Sequence, residues 1–239
     1  MIPTLQLGQV GRSNPLRDTD PLFSQVVLLL QGGSLTDQSS YARTVTSSGV
    51  TTNDSTWVKN GFNTLKLVSV SFGTQGYLTW SRTPSELLLS TVPFCFEGWF
   101  KFTNSSSGGF HYYNDGVGGA ADAMSLAVNN TNPGSAEFRS NGGGAIGVGP
   151  SLTIPNEAYF CAERVGDNLY VSIDGVVSGP TSLGSSFSFN SPSHDTRIGQ
   201  GYAVGGTHTV HIGQLRLTIG ASRYGGSSFT PPSTLFPTS

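Results

Sequence analysis

Phe94, Phe96, Phe100 and Phe102 alternate with Cys95, Glu97, Trp99 and Lys101, and Gly98 sits among the phenylalanines. Successive side chains of an extended chain point to opposite faces. The segment therefore carries one face of four phenyl rings and one face of mixed polarity. A face that apolar needs a second layer over it, which a sandwich of two sheets supplies. The same period of two recurs over Ser24–Gln31, Thr64–Val70, Gly76–Trp80, Phe110–Asn114, Met124–Asn129, Ala136–Ser140, Ala158–Val165, Asn168–Ile173, Ser185–Phe189 and Thr209–Ile219. Weaker strands are expected at Ala42–Thr46 and Val50–Thr52. Gly32-Gly33, Asn60-Gly61, Gly166-Asp167 and Asp174-Gly175 supply turns between them. Helix is nearly absent, with a single turn expected over Ser85–Leu89. Short strands at even spacing predict an all-β fold, an antiparallel two-sheet jelly-roll sandwich.

The chain closes on an alternating strand to Ile219, then Arg223-Tyr224, Phe229, Pro231-Pro232 and Leu235-Phe236-Pro237. The prolines hold this tail extended and remove backbone donors, so it cannot easily become a central strand. A tail pinned along the outside of a sheet is expected, with Arg223, Tyr224 and Phe229 as structural fasteners. Residues 1–20 differ from the rest: they hold no aromatic residue, and Ile2, Leu5, Leu7 and Val10 give them apolar handles beside Arg12. They read as an extended arm that docks on a partner or a neighbouring subunit, leaving 21–239 as the sandwich.

Several function classes are disfavoured. A formal charge of −2 with no basic stripe argues against nucleic acid as a partner. The longest apolar run, Val26 to Leu30, is too short to span a bilayer, and the N-terminal residues lack a secretory pattern, so no membrane role is expected. Glycoside hydrolysis needs two carboxylates across the scissile bond. Glu97 is the only acid in its strand and reads as a solvated or hydrogen-bonded residue of the outer face. His208 and His211 fall on opposite faces of a strand and cannot converge on a metal. Gly142-Gly143-Gly144, Gly147 and Gly149 read as a flexible loop or bulge, without the lysine and helix of a phosphate loop. Asn114, Asp115 and Asp122 could offer oxygen ligands to calcium, yet as turn-forming residues they need no ion, and no cofactor is expected. Cys95 and Cys161 read as free thiols; a disulfide would require their strands to be sheet neighbours with compatible Cβ vectors. Sugar binding calls for an exposed aromatic with polar donors nearby, and Tyr112, Tyr113, Asn114 and Tyr202 qualify by composition. Ordinary packing or subunit contact is the competing explanation for them.

The order of these segments resembles a family. Pro21 to Leu30, the Asp37-Gln38-Ser39-Ser40 and Thr44-Val45-Thr46 segments, the strand from Phe94 to Lys101, the hairpin from Ala158 to Gly175, and the Arg223-Tyr224, Phe229-Thr230-Pro231-Pro232 ending are similar to concanavalin A-like (laminin-G-like) jelly rolls of tailed-phage structural proteins. The resemblance implies a non-enzymatic protein of the virion, a capsid decoration or tail accessory protein anchored by its arm. Its implied partners are other virion proteins and further copies of itself. The alternative is a lectin-like adhesin that recognises host surface glycans.

Overall fold

In the computed structural model the chain is described for residues 19–69, 76–81, 92–105, 110–114, 124–129, 135–140, 145–151, 156–183, 196–199 and 208–239. The strands are β1 (Val26–Gln31), β2 (Thr46–Ser48), β3 (Val50–Lys59), β4 (Phe62–Ser69), β5 (Tyr77–Trp80), β6 (Phe94–Ser105), β7 (Phe110–Asn114), β8 (Met124–Asn129), β9 (Ser135–Ser140), β10 (Ala145–Ser151), β11 (Asn156–Val165), β12 (Asn168–Ile173), β13 (Val176–Ser182), β14 (Thr196–Ile198) and β15 (His208–Ile219). All pairings are antiparallel, and they build two sheets. The first runs β13-β12-β11-β6-β15-β4-β3, with β1 also on β15; the second runs β10-β9-β8-β7-β14-β5-β2. This is the expected jelly-roll sandwich.

The long strand β15 organises the first sheet. It pairs with β6 along its whole length. Its other edge is shared, with β4 taking His208 to Ile212 and β1 taking Gln214 to Thr218. A bulge between Ile212 and Gln214 separates the two halves. On the inner face Phe94, Phe96, Phe100 and Phe102 are at most 2% exposed and join Leu65, Leu67, Phe160, Val210, Leu215 and Leu217. Leu78, Trp80 and Ile198 meet them from the second sheet. Burying each such side chain is worth about 1.5–3 kcal/mol, which makes this layer the main source of stability.

The outer face of the same sheet is covered as well, by the tail. Tyr224 and Phe229 stack with ring centroids 3.5 Å apart, and Phe229 stands edge-on to Tyr159 at 5.9 Å. Trp99 Nε1 donates to the Pro232 carbonyl at 3.0 Å. Gln214 Nε2 donates to the Thr234 carbonyl at 3.2 Å, and Gln214 Oε1 accepts from the Phe236 N–H at 3.2 Å. The Glu163 carboxylate accepts the backbone N–H groups of Arg223, Tyr224 and Gly226. Arg223, Tyr224 and Phe229 are thus fasteners, as their pattern in the sequence suggests.

Beneath the tail lies a buried charge network. Arg216 bonds Glu97 Oε1 through NH2 at 2.6 Å and Asp20 Oδ2 through NH1 at 3.0 Å. Arg223 grips both oxygens of Asp20, at 3.0 and 2.8 Å. The Tyr159 and Tyr224 hydroxyls both donate to Glu97 Oε2, the latter at 2.6 Å. Glu97 is therefore hydrogen-bonded as expected, yet it is not solvated at all, because the tail seals it. Asp20, read from the sequence as the end of the arm, is part of this network and also donates its backbone N–H to the Ser239 carbonyl at 2.8 Å.

Burial works to raise the Asp20 carboxyl, but the Arg223 hydrogen bond, the Leu22 N–H and the Arg223 and Arg216 charges outweigh it, so the group titrates below its ordinary value. A depressed carboxylate contributes stability that is fully present above its unfolded pKa of about 3.9 and disappears as pH falls through the lower folded value. The unfolding midpoint is expected to drop steeply on acidification below about pH 4. In Asp20→Asn that part of the pH dependence should vanish; a slope identical to wild type would show that Asp20 is not its source.

Some elements differ from expectation. Ala42–Thr46 forms no strand up to Val45; instead Thr46 opens β2, and β3 runs on to Lys59. Of the glycine string, Gly147 and Gly149 lie in a strand, β10, whose register shifts between Ala145 and Gly147 and between Val148 and Ser151, a bulge of the expected kind, while Gly142, Gly143 and Gly144 lie outside the described residues. β13 carries Pro180 and escaped a pattern search for that reason; it tolerates the proline because it is the edge of its sheet. Ser85–Leu89, Ser185–Phe189 and the arm residues Ile2, Leu5, Leu7, Val10 and Arg12 lie outside the described residues.

Candidate functional site

Two adjoining depressions open where the loop after β1 meets the ends of β3 and β5. One, of about 550 Å³, is lined by Ser34, Leu35, Thr36, Asp37, Ala42, Arg43, Thr44, Val45, Thr52 and Asn53. The other, of about 410 Å³, is lined by Arg43, Thr44, Thr46, Thr79, Trp80 and Ser81. Arg43 and Thr44 border both, so the two depressions adjoin along these residues in a cleft of mixed polarity.

A single buried carboxylate shapes the loop. Asp37 Oδ1 accepts from the Leu29 N–H of β1 at 2.9 Å and from the Ser39 N–H at 3.0 Å. Its Oδ2 accepts from the Ser39 hydroxyl and from the Arg43 N–H, both at 2.9 Å. Ser39 Oγ in turn accepts from the Tyr41 N–H at 3.3 Å. Such side-chain bonds to nearby backbone are how Asp and Ser stabilise turns. The Arg43 Nε then donates to the Val27 carbonyl at 2.6 Å and NH1 to the Ser81 carbonyl at 3.4 Å, tying the loop to β1 and to the end of β5.

This scaffold leaves Tyr41 half exposed, with the Arg43 guanidinium carbon 5.0 Å from its ring centroid. Ala42 between them has φ 44°, and Asn53 across the cleft has φ 52°. The left-handed region costs a residue other than glycine roughly 1–2 kcal/mol, and asparagine less than alanine. Strain of this kind tends to be held at functional sites. Here it turns Tyr41 outward while Arg43 points back to the sheets. The opposite wall is fixed by the Asn53 N–H, which donates to the Gly33 carbonyl at 2.9 Å.

Chemically the cleft lining offers a cationic side chain, an amide and several hydroxyls that both donate and accept, with the half-exposed Tyr41 ring next to it in sequence. Its lining contains one carboxylate, Asp37, whose two oxygens already accept four hydrogen bonds. The arrangement suits binding of a polyhydroxylated ligand and lacks the paired acids of glycoside hydrolysis. Glu97 and Asp20 do lie close to one another, but both are sealed under the tail with Arg216 between them, leaving no room for a substrate.

The sugar-binding candidates from the sequence are Tyr112, Tyr113, Asn114 and Tyr202. The backbone of Tyr112, Tyr113 and Asn114 belongs to β7, where the register shifts between His111 and Tyr113, and their side chains lie outside the described residues. Tyr202, Asp115 and Asp122 also lie outside them. Among the described residues no cluster of His, Cys, Asp or Glu could hold a metal ion, and no helix is long and apolar enough to cross a membrane. His211 packs against Trp57 and lies 3.6 Å from Asp54; burial lowers its pKa despite that carboxylate. Sequence reasoning missed Tyr41 and Arg43. The signal was the Asp-x-Ser turn ahead of an isolated aromatic, Asp37 to Tyr41.

No family model matches the chain, and no curated protein matches it in sequence. Solved structures do match its fold. The binding domain of Paraclostridial Mosquitocidal Protein 1 aligns with a TM-score of 0.63 at 11% identity, over 84% of this chain and 50% of that one. Botulinum neurotoxin type C, described as entering cells through interaction with two ganglioside molecules, aligns at 0.60 and 14% identity over 87% and 49%. The binding domain of botulinum neurotoxin DC in complex with SialylT aligns at 0.60 and 14% over the same shares. This chain spans about half the length of each of these structures. At such identities the similarity is one of fold.

Proposed function

We propose that the protein is a lectin-like recognition module that binds a carbohydrate at the cleft bordered by Arg43 and Thr44, beside Tyr41, without acting on it. The observation that carries this reading is Tyr41, an aromatic ring half exposed next in sequence to Ala42, which lines the cleft with Arg43 and several Ser and Thr residues, on a loop held by Asp37. The Arg43 guanidinium carbon lies 5.0 Å from the ring centroid, and the C–H face of a sugar would stack on the exposed part of the ring, while Asn53 and the Thr and Ser residues of the lining would read its hydroxyls. The kind of protein that shares the fold, binding domains of botulinum neurotoxins and of a mosquitocidal protein, supports recognition over assembly. The test is a broad glycan array followed by titration of any hit. Tyr41→Ala should weaken binding at least about tenfold, a loss of 1.4 kcal/mol or more, with an unchanged unfolding midpoint. A silent array, or equal binding by the variant, would sink the idea.

The virion reading is kept as a second proposal, favoured by one observation. Asp20 is clamped by Arg216 and Arg223, so whatever precedes it starts from a rigid point on the sandwich. Deleting residues 1–18, which spares Asp20, should abolish incorporation into particles if those residues anchor the protein. Full occupancy by the truncated form would remove that role.

A further inference from the structure

The tail hides a pair of thiols that the fold itself does not require. Cys95 on β6 and Cys161 on β11 lie on neighbouring strands, two residues apart in register, since Cys95 faces Glu163 and Cys161 faces Glu97. Both project to the outer face, their sulfurs are 3.6 Å apart, and both are at most 2% exposed. Their cover is the second apolar cluster, in which Tyr224, Phe229 and Phe236 of the tail pack over the cysteines and Tyr159. The sequence alone leaves the pairing of these cysteines open. The structure meets the first condition for it, because the strands are sheet neighbours, and it brings the two sulfurs to 3.6 Å.

We propose that Cys95 and Cys161 are a latent disulfide site, closed by a small disulfide such as glutathione disulfide when the tail lifts. In the seated state burial pushes both thiols above their ordinary pKa, so neither offers a thiolate and no reagent reaches them. Lifting the tail lets water in. One cysteine then gives up its proton, and its thiolate attacks a sulfur of glutathione disulfide. The reagent's S–S bond breaks and one glutathione leaves, taking up a proton. The second cysteine, likewise deprotonated, attacks the mixed disulfide at the protein sulfur and expels the other glutathione. The protein loses two electrons and two protons, and the reagent becomes two thiols. The new bond staples β6 to β11 at the centre of the first sheet, across 66 residues of chain.

The experiment incubates the full chain with glutathione disulfide, then denatures it, alkylates free thiols and weighs the intact protein. The expected product carries no alkyl group and no glutathione. Gly175→Ala and the milder Phe229→Ala, both of which loosen the tail, should form it at least about tenfold faster than wild type, since the open population limits attack. Cys161→Ser should stop at a single glutathione adduct. The proposal is overturned if loosened variants keep two alkylatable thiols, if each cysteine gains its own glutathione, or if the bond formed joins two chains.

Discussion

Glu97→Ala is expected to lower unfolding free energy by about 3–5 kcal/mol, the usual result of removing one partner from a buried ion pair. The Glu97 side chain is wholly buried, and that of Arg216 is 6% exposed. Without the carboxylate, Arg216 and Arg223 share only Asp20, and the hydroxyls of Tyr159 and Tyr224 lose the acceptor to which both donate. Tyr159 has no route to water, so its hydroxyl carries the full desolvation cost. Glu97→Gln separates charge from shape: it retains an acceptor but not the countercharge, and should recover only a minor part of the loss. Replacing Glu97 and Arg216 together with apolar residues of similar volume should recover more, because no charge is then stranded. Urea unfolding followed by tryptophan fluorescence reads all three. A loss below about 1 kcal/mol for Glu97→Ala would mean that the site is hydrated and behaves as a surface pair.

Gly175→Ala is the second large effect, and it acts through the tail. Gly175 has φ 77°, and a Cβ added there would lie 1.8 Å from the Phe229 carbonyl oxygen. The contact is backbone to backbone, and the Gly175 carbonyl accepts the Phe229 N–H at 3.1 Å, so no side chain can swing aside. The left-handed conformation alone costs alanine roughly 1–2 kcal/mol, and forcing the tail away adds the loss of the Tyr224–Phe229 stack against Tyr159. A total of about 3 kcal/mol or more is expected. The sheets themselves are untouched, so the tail should become sensitive to protease before the rest unfolds. Limited proteolysis with mass spectrometry reads this directly. An intact tail and an unshifted midpoint would show that the strap has slack the geometry does not suggest.

The sandwich and its strap were legible in the sequence because both are written in local pattern. Four alternating phenylalanines fix which face of β6 is buried, and two prolines with isolated aromatics mark an extended tail. What the tail covers was not legible. Glu97 meets Tyr159, Arg216 and Tyr224 at separations of 62, 119 and 127 residues, and a lone acid on a strand carries no sign of those partners. The cleft was hidden for a related reason. Tyr41 matters because Asp37 reaches back to Leu29 and Arg43 reaches Val27 and Ser81, contacts that exist only once β1, β3 and β5 have met. The loss of alternation at β13 has a plainer origin, since an edge strand with proline need not alternate.

The bond between the Asp20 N–H and the Ser239 carbonyl makes the sandwich a module with a single doorway. Its two ends are 2.8 Å apart at that point and are held by side chains from the middle of the sheet. Chain entering at Asp20 and chain leaving at Ser239 pass side by side. Two segments 219 residues apart in sequence thus close on one another across the width of a single hydrogen bond.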